Sequence, residues 1–110
     1  MDLNEYLPMF LAEAREHLQE LNLALVRLEA EPDDRETLDE IFRIAHSLKG
    51  MSATMGFSSM AALTHEMEDV FEIFRRRRGG VEQEAMDVLL ACLDALEGCV
   101  EAVAESGQER

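Results

Sequence analysis

The chain has 110 residues, with 24 Asp and Glu against 10 Lys and Arg, a formal net charge of −14. That length supports one domain with one core, and 47% hydrophobic with 31% charged residues excludes a disordered tail. A surface this acidic excludes DNA or RNA as a partner, because binding a polyanion requires cationic patches that displace its counterions. No apolar run approaches the roughly 18 residues a membrane span requires, and Met1-Asp2-Leu3-Asn4-Glu5 lacks the basic-then-apolar pattern of a signal peptide. The reading is a cytoplasmic chain without membrane or nucleic-acid contacts. Six Gly and two Pro, few β-branched residues and abundant Leu, Ala, Glu, Met and Arg favour helix.

Four helices are predicted. The first covers about residues 4–29, where Leu7, Phe10, Ala14, Leu18, Leu21, Leu25 and Leu28 recur every three or four positions. Pro8 is tolerated only near a helix start. Glu31-Pro32-Asp33-Asp34 separates it from the second, about 34–53, with Asp33 as expected N-cap and Glu36 completing a capping box. Leu38, Ile41, Phe42, Ala45 and Leu48 form its apolar stripe. Met55-Gly56-Phe57 reads as a turn and Ser58 as the next N-cap. The third helix, about 59–77, presents Met60, Leu63, Met67, Val70, Phe71 and Phe74; the run Arg75 to Arg78 suits its negative end, and Gly79-Gly80 stops it. The fourth, about 82–104, is expected to bury Ala85, Leu89, Cys92, Leu96, Cys99 and Val103. Residues 1–105 then form the domain, and 106–110 a frayed tail or the start of a linker. Long helices with short connections predict an all-α, antiparallel up-down-up-down four-helix bundle.

The residues most suggestive of chemistry are Ala45-His46-Ser47-Leu48-Lys49-Gly50. At about 100° per residue, His46 falls on the flank of the apolar stripe, Lys49 lies one turn on, and Gly50 lies beyond it. A glycine inside a helix costs about 1 kcal/mol relative to Ala, and a need for space beside His46 offsets that cost. A neutral imidazole is a nitrogen nucleophile, and a neighbouring ammonium stabilises an arriving phosphoryl group. On the third helix His65 and Glu68 share a face, with Glu72 a turn further. A Glu68 carboxylate accepting the Nδ1–H of His46 would leave the Nε2 lone pair for attack. Periodicity alone does not aim Glu68 at His46.

The segment Phe42 to Phe57, FRIAHSLKGMSATMGF, followed by Thr64-His65-Glu66-Met67-Glu68, resembles the histidine phosphotransfer (HPt) domain of CheA-type chemotaxis kinases. Tyr6 to Ala14 is similar to that family's first helix, and the likeness extends over about residues 3–105. The resemblance implies that His46 is the phospho-acceptor, Lys49 and Gly50 the lysine and glycine that follow it, Glu68 the glutamate that orients it, and His65 a supporting member of the network. It further implies that ATP and Mg are bound by a separate kinase domain, with no cofactor or metal held here. The phosphoryl group would then pass to an aspartate of response regulators resembling CheY and CheB, and the isolated domain would be a monomer.

Alternatives are a free-standing HPt phosphorelay protein, a bundle binding metal through His46, His65 and Glu68, and a structural adaptor with inert histidines. The Glu-x-x-His motif of di-iron bundles is missing. Cys92 and Cys99 lie about 10.5 Å apart along one helix, too far for a disulfide, and read as core fillers. His17, among Glu13, Glu16 and Glu20, reads as solvated surface. Met51 and Met55, just beyond His46, could form part of a plastic binding surface. On a −14 background, the expectation is a local positive potential around His46.

Overall fold

The computed structural model describes residues 3–76 and 80–109. It is the predicted bundle: helices α1 (Leu7–Ala30), α2 (Arg35–Thr54), α3 (Ser58–Arg76) and α4 (Gln83–Ser106), preceded by a 3-10 turn, Leu3–Tyr6. Each helix packs against its two neighbours in an antiparallel ring that α4 closes onto α1, and all four contribute to one core. The molecule measures 46 × 21 × 18 Å, one long helix by two helix diameters. No described helix is long and apolar enough to cross a membrane.

The first α-helix begins at Leu7 rather than near residue 4, because Pro8 in its first turn has no N–H to donate and belongs where none is required. Six of the seven predicted apolar positions of α1 are buried, Leu7 partly so, and Ala24 joins them. The N-cap of α2 is Asp34, not Asp33. Its carboxylate accepts from the Glu36 backbone N–H at 3.3 Å and from the Thr37 hydroxyl at 2.7 Å, and this local pairing buries Thr37 at the helix start. Ser58 is likewise the first residue of α3 rather than its cap. The backbone N–H groups of Ser59 and Met60 instead donate to the two carboxylate oxygens of Glu109, at 2.8 and 2.9 Å. The segment expected to fray therefore returns to the bundle. α4 runs to Ser106, and Gly107 adopts a left-handed conformation (φ 78°) that turns the chain back toward α3.

The stripe of α4 is also rotated from the prediction. Met86, Leu89, Leu93, Leu96, Cys99, Val100 and Val103 are buried, whereas Ala85 and Cys92 are only half-buried. Both cysteines are free thiols. On α3, Leu63 and Val70 are half-buried and Thr64 and Glu68 fully so. Ser52, on the core side of α2, is completely buried and its hydroxyl has no hydrogen-bond partner among the described residues.

The two loops at one end support each other. The Val81 N–H donates to the Pro32 carbonyl at 2.9 Å, and a Cβ on Gly80 would stand 2.9 Å from the Pro32 Cβ. Gly80 thus serves a close approach between loops, beyond the helix stop read from sequence. Arg77, Arg78 and Gly79 of that predicted stop lie outside the described residues. The most extensive helix–helix contact is between α2 and α3. Arg35, in the first turn of α2, donates to the terminal carbonyls of Phe74 and Arg75 on α3, fixing the register of the pair that carries the candidate site.

Candidate functional site

The site lies on the α2–α3 face, with His46 and Glu68 each more than two turns from either end of its helix. On α2, the stripe residues Ile41, Ala45 and Leu48 are inward, which turns His46 to the flank. Its side chain is 65% exposed. On α3, burial of Thr64, Met67 and Phe71 carries Glu68 into the seam with α2, where the residue is 7% exposed. Nδ1 of His46 lies 3.1 Å from Glu68 Oε1. A carboxylate is acceptor-only, so Nδ1 carries the proton and donates, and in the neutral imidazole the lone pair stands on Nε2. This is the contact that the residue spacing could not assign.

Lys49, one turn beyond His46, reaches the same carboxylate, with Nζ 3.0 Å from Oε1 and 3.1 Å from Oε2. Glu68 therefore receives a cation and an N–H at once, which is how a carboxylate is kept in a nearly enclosed position. Lys49 sits against Glu68 rather than standing free beside the imidazole. Gly50 is exposed, and a Cβ added there would meet nothing within 4 Å. None of the described residues fills that space.

His65 is placed differently from the expectation. Its side chain is 62% exposed and its Nε2 lies 3.6 Å from Asp69, the carboxylate one turn along. It makes no hydrogen bond to His46, Glu68 or Lys49. Consequently the three residues of the metal-binding alternative do not converge, and no group of three or more metal-ligating side chains is found among the described residues. His17 is half-buried, its Nδ1 donating to the Glu13 carbonyl at 2.8 Å.

Two neighbours were not assigned to the site by sequence. Phe42, read as a core residue, is half-buried and lies one turn before His46 with its ring nearly parallel to the imidazole, 7° between planes and 6.5 Å between centroids. Arg75, read as part of a helix-end device, stands over the Phe42 ring at 4.4 Å. It is held there by Asp39 at 2.9 Å and Glu72 at 3.1 Å. Glu72, one turn along α3 from Glu68, is also bound by Arg76 at 2.9 Å, so its charge is compensated. The signal for both residues was their i−4 and i+7 spacing from His46 and Glu68, which has meaning only once the two helices are in register.

This arrangement, an oriented and open imidazole beside a buried Glu–Lys pair on a helical bundle, matches a known pattern. The family model for the Hpt domain matches residues 5–99. The chain belongs to the Hpt domain family. It is 44% identical over 107 residues to the chemotaxis protein CheA of Bacillus subtilis, an alignment covering 97% of this chain and 16% of that protein. It thus spans about a sixth of the length of the curated relatives it matches. Among solved structures, the CheA phosphotransferase domain from Thermotoga maritima superposes with a TM-score of 0.86 at 38% identity, covering 94% of this chain and 98% of that one. A solution structure of the histidine phosphotransfer domain of CheA gives a TM-score of 0.89, also at 38% identity, covering 97% of this chain and 80% of that one. The Hpt domain described here is therefore CheA-like along nearly its whole length.

Proposed function

We propose that this Hpt domain accepts a phosphoryl group on His46 from a separate kinase domain of a CheA-type protein and passes it to an aspartate of a receiver protein. The observation that carries the reading is the 3.1 Å contact of His46 Nδ1 with Glu68 Oε1 on an imidazole that is 65% exposed. In the neutral imidazole it leaves the lone pair on one nitrogen, Nε2, open to a donor.

In the first step the Nε2 lone pair attacks the γ-phosphorus of ATP held by the kinase domain with Mg. The bond from that phosphorus to the bridging oxygen breaks and ADP leaves with the electron pair. The ring gains positive charge as the N–P bond forms, and Glu68 stabilises it through Nδ1–H. In the second step a receiver aspartate oxygen attacks the phosphorus, the N–P bond breaks, and its electrons return to Nε2. Lys49 holds Glu68 in place and has a third N–H for an anionic oxygen. Gly50 leaves clearance for the incoming domain, and Phe42 with Arg75 restrains the imidazole plane. His65, paired with Asp69 on the exposed side of α3, has no step assigned to it. No cofactor belongs to this domain. Receivers resembling CheY and CheB are the expected acceptors, and a cytoplasmic location follows from the need for ATP. A free-standing relay protein is the less favoured reading, since the relatives are CheA proteins.

The test is incubation of the chain with a cognate kinase domain and γ-labelled ATP. Wild type takes up label and His46→Gln does not; label retained by His46→Gln overturns the assignment.

A further inference from the structure

The distribution of positive charge leaves one cation unexplained. Arg77, Arg78 and Arg110 lie outside the described residues. Of the remaining Lys and Arg side chains, Arg15, Arg27, Arg35, Lys49, Arg75 and Arg76 all donate to carboxylates or backbone carbonyls. Arg43 has no hydrogen bond or ion pair among the described residues, although the chain carries 24 Asp and Glu. It is exposed and borders the open groove between α1 and α2, with Ser47 beside it. Glu40 borders the same groove but is bound to Arg27 at 2.6 Å.

Arg43 precedes His46 by three residues and so shares its helix face, about 5–6 Å away between Cβ atoms. Side chains on a helix lean toward its N-terminus, over the preceding turn. The parallel Phe42 ring places the His46 imidazole over that turn. Nδ1 points to Glu68 on the α3 side, which leaves Nε2 away from α3. Lys49, meanwhile, is already bound to both oxygens of Glu68. The cation beside Nε2 that is not already bound to a carboxylate is the one on the preceding turn.

We infer that Arg43 is a phosphoryl-binding residue of this site, its guanidinium contacting the oxygens of the group carried on His46 Nε2 from the side opposite Lys49. The inference rests on the phosphotransfer reading above. An arginine suits the role because its planar donors match phosphoryl oxygens two at a time, and because it remains charged throughout.

The test uses the whole chain and a small donor, phosphoramidate, so that no kinase is involved. The Nε2 lone pair attacks its phosphorus, the reagent's own P–N bond breaks, and ammonia leaves with the proton. The second ionisation of the phosphoryl group is then followed by 31P NMR against pH. The charged groups around that position are Lys49 and Glu68, Glu72 bound by Arg75 and Arg76 on α3, and His17, Glu20 and Glu40 along the α1–α2 groove. Unit charges ~6 Å apart in water shift such a midpoint by about 0.5 pH unit. In Arg43→Gln the midpoint is expected to rise by about that amount. In Arg43→Lys, and in the control Arg15→Gln on α1, it is expected to move by less than half as much. High salt should erase the difference, since the pair is exposed. An unshifted Arg43→Gln overturns the inference, and so does an equal shift in Arg15→Gln, which would be an effect of net charge. Failure of the phosphotransfer reading shows separately, as absence of kinase-donated label from His46 in a chain that phosphoramidate still modifies.

Discussion

Gly50→Ala separates what folding asks of the site from what a partner asks of it. Gly50 lies within α2, exposed, and a Cβ there meets nothing within 4 Å. The substitution therefore introduces no clash, and the hydrogen bond from the Thr54 hydroxyl to the Gly50 carbonyl, 2.9 Å long, is retained. Replacing a helix-interior glycine by alanine stabilises by about 0.8–1 kcal/mol. With an unfolding entropy near 2.1 cal/mol/K per residue, a chain of this size has about 230 cal/mol/K at its midpoint, so Tm should rise by about 4 °C. Phosphorylation should go the other way with a large donor only. Phosphoramidate, a few atoms across, should label Gly50→Ala at the wild-type rate. A kinase domain, which must bring its surface against this turn, should label it at least about tenfold more slowly if the added methyl forfeits ~1.4 kcal/mol of docking. The assay is a thermal melt by circular dichroism together with the two initial rates. A fall in Tm would refute the open-space geometry. Equal kinase rates for variant and wild type would refute docking clearance as the reason for the glycine.

The other outcomes follow from single contacts. Glu68→Ala strands the Lys49 ammonium and the His46 Nδ1–H in a half-enclosed seam, so stability should fall by about 1–3 kcal/mol in denaturant titration and labelling of His46 should drop with it; unchanged labelling would show that the carboxylate does not orient the ring. Ser52→Ala removes a buried hydroxyl that has no partner among the described residues, and its unfolding free energy from denaturant titration should be unchanged or higher by up to about 1 kcal/mol. Glu109→Ala removes the carboxylate cap from α3, with an expected loss of about 1 kcal/mol and faster amide exchange at Ser59 and Met60. Burial, and secondarily the Glu66 charge, push the Cys92 thiol up. Less of it is thiolate at a given pH than in an open cysteine, so disulfide reagents should react slowly at neutral pH and faster as pH rises. Glu66→Gln lowers that pKa and should speed the reaction, though only partly, since burial remains.

The expected positive potential around His46 takes a more particular form in the structure. The nearest cation read from sequence, Lys49, is bound by Glu68 at 3.0 Å, so the pair contributes little net field. Glu72 is compensated in turn by Arg75 and Arg76. On an acidic molecule, the site is prepared for a further anion chiefly by neutralising its own carboxylates.

Helical periodicity, a property of each segment alone, determined the four helices, their approximate limits and most of the core. The H-x-x-K-G run and its flanks likewise marked His46, Lys49 and Gly50, because residues three and four apart on one helix share a face whatever surrounds it. What lay beyond the sequence depends on two helices at once. A helical wheel places Glu68 at an angle on α3 but says nothing of which neighbour that angle meets, or at what height. The α2–α3 register, fixed by Arg35 on the end of α3 and by the shared core, decided that Glu68 reaches His46 and that Arg75 stands over Phe42. The same register left His65 beside Asp69. The half-buried Ala85 and Cys92 arose similarly, as α4 turned Leu93 and Met86 inward to meet its neighbours. The cap of α3 came from Glu109, 49 or more residues away in sequence, where no local motif could signal it. Local spacing thus determined which residues could act, and packing between helices decided which of them meet.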